Sequence, residues 1–552
     1  MKISLTFALL FLSSFIFAQP ACQWAYIPVG ATQSYNTIYN STTDQSGNII
    51  TLGILLGSAD MDPGTDPADT SFTTYTYNYY ISKTDLAGNL LWIHYFQNNS
   101  QLTLFDFVGV KVNSANEIIV VGNFAGLIDF DFSDAGVDTL RSHFPTYTDY
   151  FVAKYDSAGS YKWAINIGDP TTSDIVAHAV TILPNDNIII AANPNGTIDV
   201  DPGSGVHNSI GGNGNIICYD NNGEYVWNNN IATATSYCIT NNSLETDLAG
   251  NVYVATVGYY KLSLNKFDNV GNRVGDMTIG DFPAGARVNP QSLMMDKTTD
   301  ELYISGTYGG MVDFDPGTGT VYKTSSSSMY QDGFIAKYDR LLNLLWVVTY
   351  EGKVDFGKYS LDFSQGEIVA VGNIEGTIDF GNGTILSSST VSSISPFYIT
   401  VNSGGVTQNG FTLDGFGHFN TVRTCPNNSF AITGLITNAT DMDPTSASLI
   451  LNATASSHFT VVYQSTTTSI SENYQDEKIN AYPNPTDNDF NLTISPDLVG
   501  SLYTIHDITG RLITSGKLIH ENNIIRLDKI AQGIYSLSIE GKKEQTLRII
   551  KK

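Results

Sequence analysis

Positive charge is what this chain has least of. It carries 27 Lys and Arg against 53 Asp and Glu in 552 residues, a net charge of −26. Such a polyanion is repelled by nucleic-acid phosphates and by anionic bilayers, so both fall away as partners. The deficit is regional. From Glu472 onward 10 basic residues face 11 acidic ones, which leaves 17 basic against 42 acidic upstream. Charged residues of either sign make up only 14%. Past the N-terminus there is no apolar run long enough to span a bilayer. The chain has four cysteines and no Cys-x-x-Cys spacing, which excludes the common zinc patterns. Gly-x-Ser-x-Gly, His-Glu-x-x-His and a phosphate-binding glycine loop are also missing. Enzymatic activity is therefore left open, leaning towards none.

What is present points outward from the cell. Lys2, the apolar run Leu5 to Phe17 and the small residue Ala18 form an export signal over residues 1–18. Cys22 raises lipidation as an alternative, which the preceding Gln19-Pro20-Ala21 argues against. In an exported chain Cys22, Cys218, Cys238 and Cys425 allow three disulfide connectivities. Cys22 with Cys425 would tie the ends of the long middle region, and Cys218 with Cys238 would link neighbours within it. Four free cysteines are the alternative.

The middle region repeats. One sub-element is a strand followed by an acidic turn, as in Asn116-Glu-Ile-Ile-Val-Val-Gly-Asn-Phe-Ala-Gly-Leu-Ile-Asp129-Phe-Asp131. It recurs at Asn48, Asn187, Glu301, Glu367 and Phe430, and in degenerate form at Asn251, making seven copies. The second sub-element is a strand, a tight Asp/Gly turn and a strand bearing tryptophan. Copies end at Trp92, Trp163, Trp227 and Trp346. Strands and turns repeating at this length predict a β-propeller. The seventh copy, ending at Tyr463, has no tryptophan strand after it. Cys22-Gln-Trp24-Ala-Tyr-Ile is a tryptophan strand with no repeat before it. The N-terminal strand is therefore expected to complete the seventh sheet and remove an exposed edge. Residues 22–463 divide into about 63 per blade, which suits four strands with long loops. The tryptophans could stack on sugars, but recurrence at one position assigns them to packing between sheets.

These pieces, Asp-x-Phe-Val-Ala-Lys-Tyr-Asp and Gly-x-x-x-Trp, resemble the β-propeller repeats of secreted bacterial proteins. After a polar linker over 464–479 the pattern changes. Short alternating strands fill 480–552, which reads as a small Ig-like β-sandwich. Tyr482-Pro483-Asn484-Pro485, Asp507-Ile-Thr-Gly510-Arg511, Gly533-Ile-Tyr535 and Lys551-Lys552 resemble the C-terminal sorting domain of type IX secretion cargo. The resemblance implies passage through the periplasm and handling by the type IX machinery, ending in release or surface attachment. The fold class is thus all-β: a seven-bladed β-propeller over 19–463 followed by the sandwich.

The candidate metal ligands are the Asp-x-Asp turns: Asp60 and Asp62, Asp129 and Asp131, Asp199 and Asp201, Asp313 and Asp315, Asp441 and Asp443. Residues i and i+2 of a strand share a face, so each pair of carboxylates could hold Ca²⁺ with nearby carbonyls. The competing reading is a strand-ending turn, since Asp-Pro-Gly is a good turn by itself. Long polar loops follow, such as Gly64 to Tyr79 and Gly317 to Tyr330, and could present a contact surface. The expected function is non-enzymatic binding or adhesion to polysaccharide or protein ligands outside the cell. The alternatives are a polysaccharide hydrolase or lyase, marked by one non-repeating acid or histidine cluster at the ring axis, and a passive surface-layer component.

Overall fold

The computed structural model describes most of residues 19–464 and 480–551. The longest stretches outside it are 1–18, 29–34, 63–71, 97–103, 280–285 and 465–479, with shorter loop pieces elsewhere. The export signal, the linker and the first half of the loop from Gly64 lie there. The chain divides into two compact units, residues 1–466 and 467–552.

The first unit is a seven-bladed propeller. Blade 1 is Tyr35–Thr43, Ile49–Ala59, Phe72–Thr84 and Leu90–Phe96, an antiparallel meander. Blades 2 to 6 repeat that order, with inner strands Leu104–Val112, Ile175–Ile182, Tyr237–Thr246, Arg287–Asp296 and Lys353–Ser364. Blade 7 has Gly417–Thr424, Ser429–Ile436 and Ser457–Gln464, and its fourth strand is Ala21–Tyr26, antiparallel to Ser457–Gln464. Each inner strand neighbours the next around the circle, and that of blade 7 returns to blade 1.

The second strands explain the Ile/Val runs. Every residue of Ile118–Ala125 is buried, because both faces of a blade meet another blade. Burying one such side chain is worth about 1.5–3 kcal/mol.

Polar devices then lock blade to blade. Lys83, Lys154, Lys266 and Lys337, from the same position of the third strand, each pair with an acid of their own blade: Asp44, Glu117, Asp247 and Glu301. Each also donates to a turn carbonyl of the next blade, at Ser157, Asn221, Arg340 and Ser403. The tryptophans act likewise. Trp24, Trp92 and Trp346 donate Nε1–H to Leu86, Ser157 and Ser403 of the following blade. Their rings lie on the turn glycines Gly88, Gly159 and Gly405, where an added Cβ would come within 3.2 Å. Those glycines also adopt positive φ, +92°, +82° and +82°.

Two blades lack the tryptophan: blade 6 has Asn409 at its position, and blade 4 meets the loss across the junction. In blade 4 the position of the tryptophan, opposite Lys266, is Gly275. The next turn has Leu342 in place of glycine, at φ +68°. Leu342 is 6% exposed and joins the cluster containing Met277, filling space the missing indole would occupy.

The disulfide expectation fails. Cys22, Cys218 and Cys425 are free thiols. Cys22 packs with Phe430 and Tyr463 on the face towards blade 6. Cys425 packs with Ala431 and Val462 on the face towards blade 1. Strand alternation thus turns the two side chains to opposite faces of one sheet. Burial pushes all three thiols up to about 12. The Cys238 side chain lies outside the described residues.

The second unit has two sheets. Asn480–Tyr482, Asp489–Thr493 and Asn522–Arg526 form one; Leu502–Asp507, Leu512–Lys517, Gly533–Ile539 and Gln545–Lys551 form the other. Phe490, Leu492, Ile525, Ile505, Leu537 and Ile549 pack between them.

Candidate functional site

Strand direction gives the propeller two unlike faces. The turn after each inner strand and the turn before each outer strand lie on one face. The loops carrying the Asp-x-Asp turns lie on the other.

On the loop face the predicted residues form hairpins. Asp313 Oδ1 accepts N–H bonds from Asp315 at 3.1 Å and Val321 at 2.8 Å. Asp129 does the same for Asp131 and Asp138, Asp199 for Asp201 and His207, and Asp441 for Asp443 and Leu449. Asp60 accepts from Asp62. The second carboxylate organises the next turn: Asp131 accepts from Ser133, Asp201 from Gly203, Asp315 from Gly317 and Asp443 from Thr445. The residue between the acids is the anchor. Met61, Phe130, Val200, Phe314 and Met442 are all at most 5% exposed. Its carbonyl accepts the hydroxyl of a buried tyrosine, Tyr155 to Phe130, Tyr219 to Val200, Tyr338 to Phe314 and Tyr463 to Met442. Tyr155 and Tyr338 are the tyrosines of Lys-Tyr-Asp, and Tyr219 and Tyr463 hold the same register position of their third strands, a link between the two sub-elements that the sequence alone did not reveal. Among the described residues no set of three Asp, Glu, His or Cys gathers into a metal-binding group.

The turn face opens into a cavity on the ring axis, about 510 Å³ in volume, lined by all seven inner strands. Its wall is one register position. Thr42, Lys111, Thr181, Glu245, Met294, Asp362 and Arg423 pair with Ile50, Ile119, Ile189, Tyr253, Tyr303, Val369 and Ala431, equivalent residues of the seven second strands. Lys297, from the following turn of blade 5, joins this ring.

Most of these groups are already committed. Arg423 donates to the carbonyls of Ser41, Tyr359 and Val422 and lies 5.1 Å over the Tyr359 ring. Asp362 accepts from the N–H groups of Thr424 and Phe363. Lys297 bonds Thr246 and pairs with Glu245 at 3.4 Å. Tyr359 crosses the axis and donates its hydroxyl to Val108 of blade 2 at 3.1 Å, flooring the cavity. It does so from φ +59°, a left-handed conformation unusual for an aromatic residue. Burial pulls the Lys111 ammonium below the ordinary lysine value; Glu245 opposes this and Arg423 and Lys297 add to it. Burial raises the Asp362 carboxyl, with Arg423 opposing. Sequence reading missed this site. The signal was available once the repeats were aligned, since charge at this inner-strand position occurs in only four of seven copies.

The tail motifs have local structural roles. Arg511 returns to Asp507, Nε to Oδ2 at 3.0 Å and N–H to Oδ1 at 3.1 Å, stapling its turn. Tyr535 donates to Ala531, and Lys551 to Leu527. Pro483 to Pro485, Gly510 and Lys552 are outside the described residues. Residues 480–552 match the family described as the secretion system C-terminal sorting domain. The tail is a type IX sorting domain. Such a domain indicates export by type IX secretion to the cell surface or the extracellular space. No helix among the described residues is long and apolar enough to cross a membrane.

No curated protein matches the chain. Similar solved structures include virginiamycin B lyase from Staphylococcus aureus, 8% identical over 80% of this chain and 99% of that one, TM-score 0.34. The phage phi92 endosialidase is 11% identical over 95% and 87%, TM-score 0.34. PorZ, a surface component of the type IX secretion system of Porphyromonas gingivalis, is 10% identical over 94% and 82%, TM-score 0.20.

Proposed function

We propose that this sorting-domain protein is a non-enzymatic binding protein that works at or beyond the cell surface. The axial cavity carries the reading. Rigid strands hold a non-repeating set of charged side chains around a recess of a size suited to a small ligand or the end of a chain. The hairpin face is a second contact surface, and Ca²⁺ at its Asp-x-Asp turns is part of the same proposal. The test is retention of the full chain on a panel of immobilised polysaccharides, with Ca²⁺ and with chelator. Selective retention supports the reading, and its loss in chelator assigns metal to the turns. Uniform flow-through overturns polysaccharide binding.

One observation favours catalysis as a second reading. The cavity cluster breaks the seven-fold repeat, as a catalytic site on a propeller does. Release of reducing ends or unsaturated sugars from a retained polymer would establish it.

A further inference from the structure

Resting on the reading of the cavity as a binding site, we infer that it takes the carboxylate of a small organic monoanion, about one or two sugars in size, with Lys111 as the receiving group. Lys111 is the cation the cavity leaves uncommitted. Among the described residues its ammonium has neither a hydrogen bond nor an ion pair, whereas Arg423, Lys297 and Asp362 are each bonded to neighbours. Lys111 is half-buried on the cavity wall, so its ammonium is only partly hydrated and gains an ion pair when an anion enters.

Local pairing sets the ligand's valence. Lys297 pairs with Glu245 at 3.4 Å, Arg423 is attracted by Asp362, and at the rim Asp247 pairs with Lys266 while Asp186 accepts from Ser114. Lys111 is left to meet a single carboxylate, while a dianion such as phosphate would set its second charge against Glu245, Asp362 and Asp186. Arg423 has its donors on three backbone carbonyls, so it offers no free bidentate fork of the kind that favours phosphate. Because Tyr359 floors the recess, a ligand enters from the turn face and stops there. Burial pulls the Lys111 amine down, with Glu245 and Asp362 opposing it only in part.

The test is calorimetric titration of the full chain with glucuronate, galacturonate and N-acetylneuraminate, beside glucose and inorganic phosphate. At least one acid should bind ten-fold or more tighter than glucose and tighter than phosphate. Lys111→Met should abolish that binding, and Lys111→Arg should restore part of it. Lys111→Met should also melt no lower than wild type, since it removes an unpaired charge and keeps the stem. No preference for any acid overturns the inference, as do phosphate binding tighter than the acids, unchanged binding by Lys111→Met, or a lower melting point for that variant. Polymer retention that Lys111→Met leaves intact would remove this inference alone and leave the binding reading standing.

Discussion

Replacing Trp24 by Ala tests how the ring is held shut. Trp24 is the last indole of the circle. It sits on the strand Ala21–Tyr26, which contributes to blade 7, and docks on the first blade through Leu86 and Gly88. Truncating a fully buried tryptophan costs about 3–5 kcal/mol. Trp24 is half-buried, so about 2 kcal/mol of packing is lost. The 2.8 Å bond from Nε1 to the Leu86 carbonyl adds about 1 kcal/mol. The Trp24→Ala variant should therefore lose about 3 kcal/mol in urea unfolding, and Trp24→Phe about 1 kcal/mol for the hydrogen bond alone. A matched control is Trp227→Ala. That indole docks on Gly271 between blades joined directly by the chain, and its Nε1–H has no partner among the described residues. Loss of Trp24 also frees the edge of Ser457–Gln464, so light scattering should rise on warming for this variant and not for the Trp227 one. Gly88→Ala approaches the same junction from the other side, placing a Cβ 3.2 Å from the indole at φ +92°. Its clash with Trp24 should vanish in the double mutant, giving a non-additive cycle. A Trp24→Ala midpoint equal to wild type, or strict additivity with Gly88→Ala, would refute the closure argument.

Four further outcomes are expected. Lys154→Met leaves the Glu117 carboxylate and the Asn221 carbonyl without their shared donor, and should cost about 3 kcal/mol in the same unfolding assay. Burial lowers His458 to about 3, so the folded protein refuses a proton the unfolded chain takes up below 6.5. Its contribution is complete above pH 6.5 and is lost as pH falls; between pH 6.5 and 5 stability should drop by on the order of 1 kcal/mol per unit, and His458→Gln should flatten that slope. Asp313→Asn keeps the acceptor for the N–H groups of Asp315 and Val321 and should be near neutral, while Asp313→Ala should cost about 1–2 kcal/mol; Ca²⁺ raising the wild-type midpoint but not that of Asp313→Asn would assign the turn to metal instead. Removing residues 480–552 should leave the protein in the periplasm, which fractionation of the producing cells would detect; undiminished surface export would count against the sorting role.

Much of the architecture is local chemistry and was legible for that reason. Ile/Val runs such as Ile118 to Val121 mark strands buried on both faces, and Asp156 to Gly159 marks a turn that any reader of backbone preferences can place. The tail's motifs are contiguous, and the staple between Asp507 and Arg511 spans only four residues. The export route was readable for the same reason. The Asp-x-Asp turns were legible as turns, but their use as acceptors for backbone N–H groups eight or nine residues on required the folded hairpin. The cysteines misled, because counting them says nothing about which face of a sheet each occupies.

By itself the sequence determined the seven-fold repeat, the strand order within each blade and the sorting tail, since each depends on residues close together in the chain. Only the tertiary structure decided the axial cavity. Lys111, Glu245, Lys297, Asp362 and Arg423 come from five different blades and meet because closing a ring of seven brings one register position of every inner strand to a common axis. Tyr359 floors that space from a backbone conformation an aromatic residue seldom adopts, and the contact with Val108 that holds it there spans 251 residues of chain.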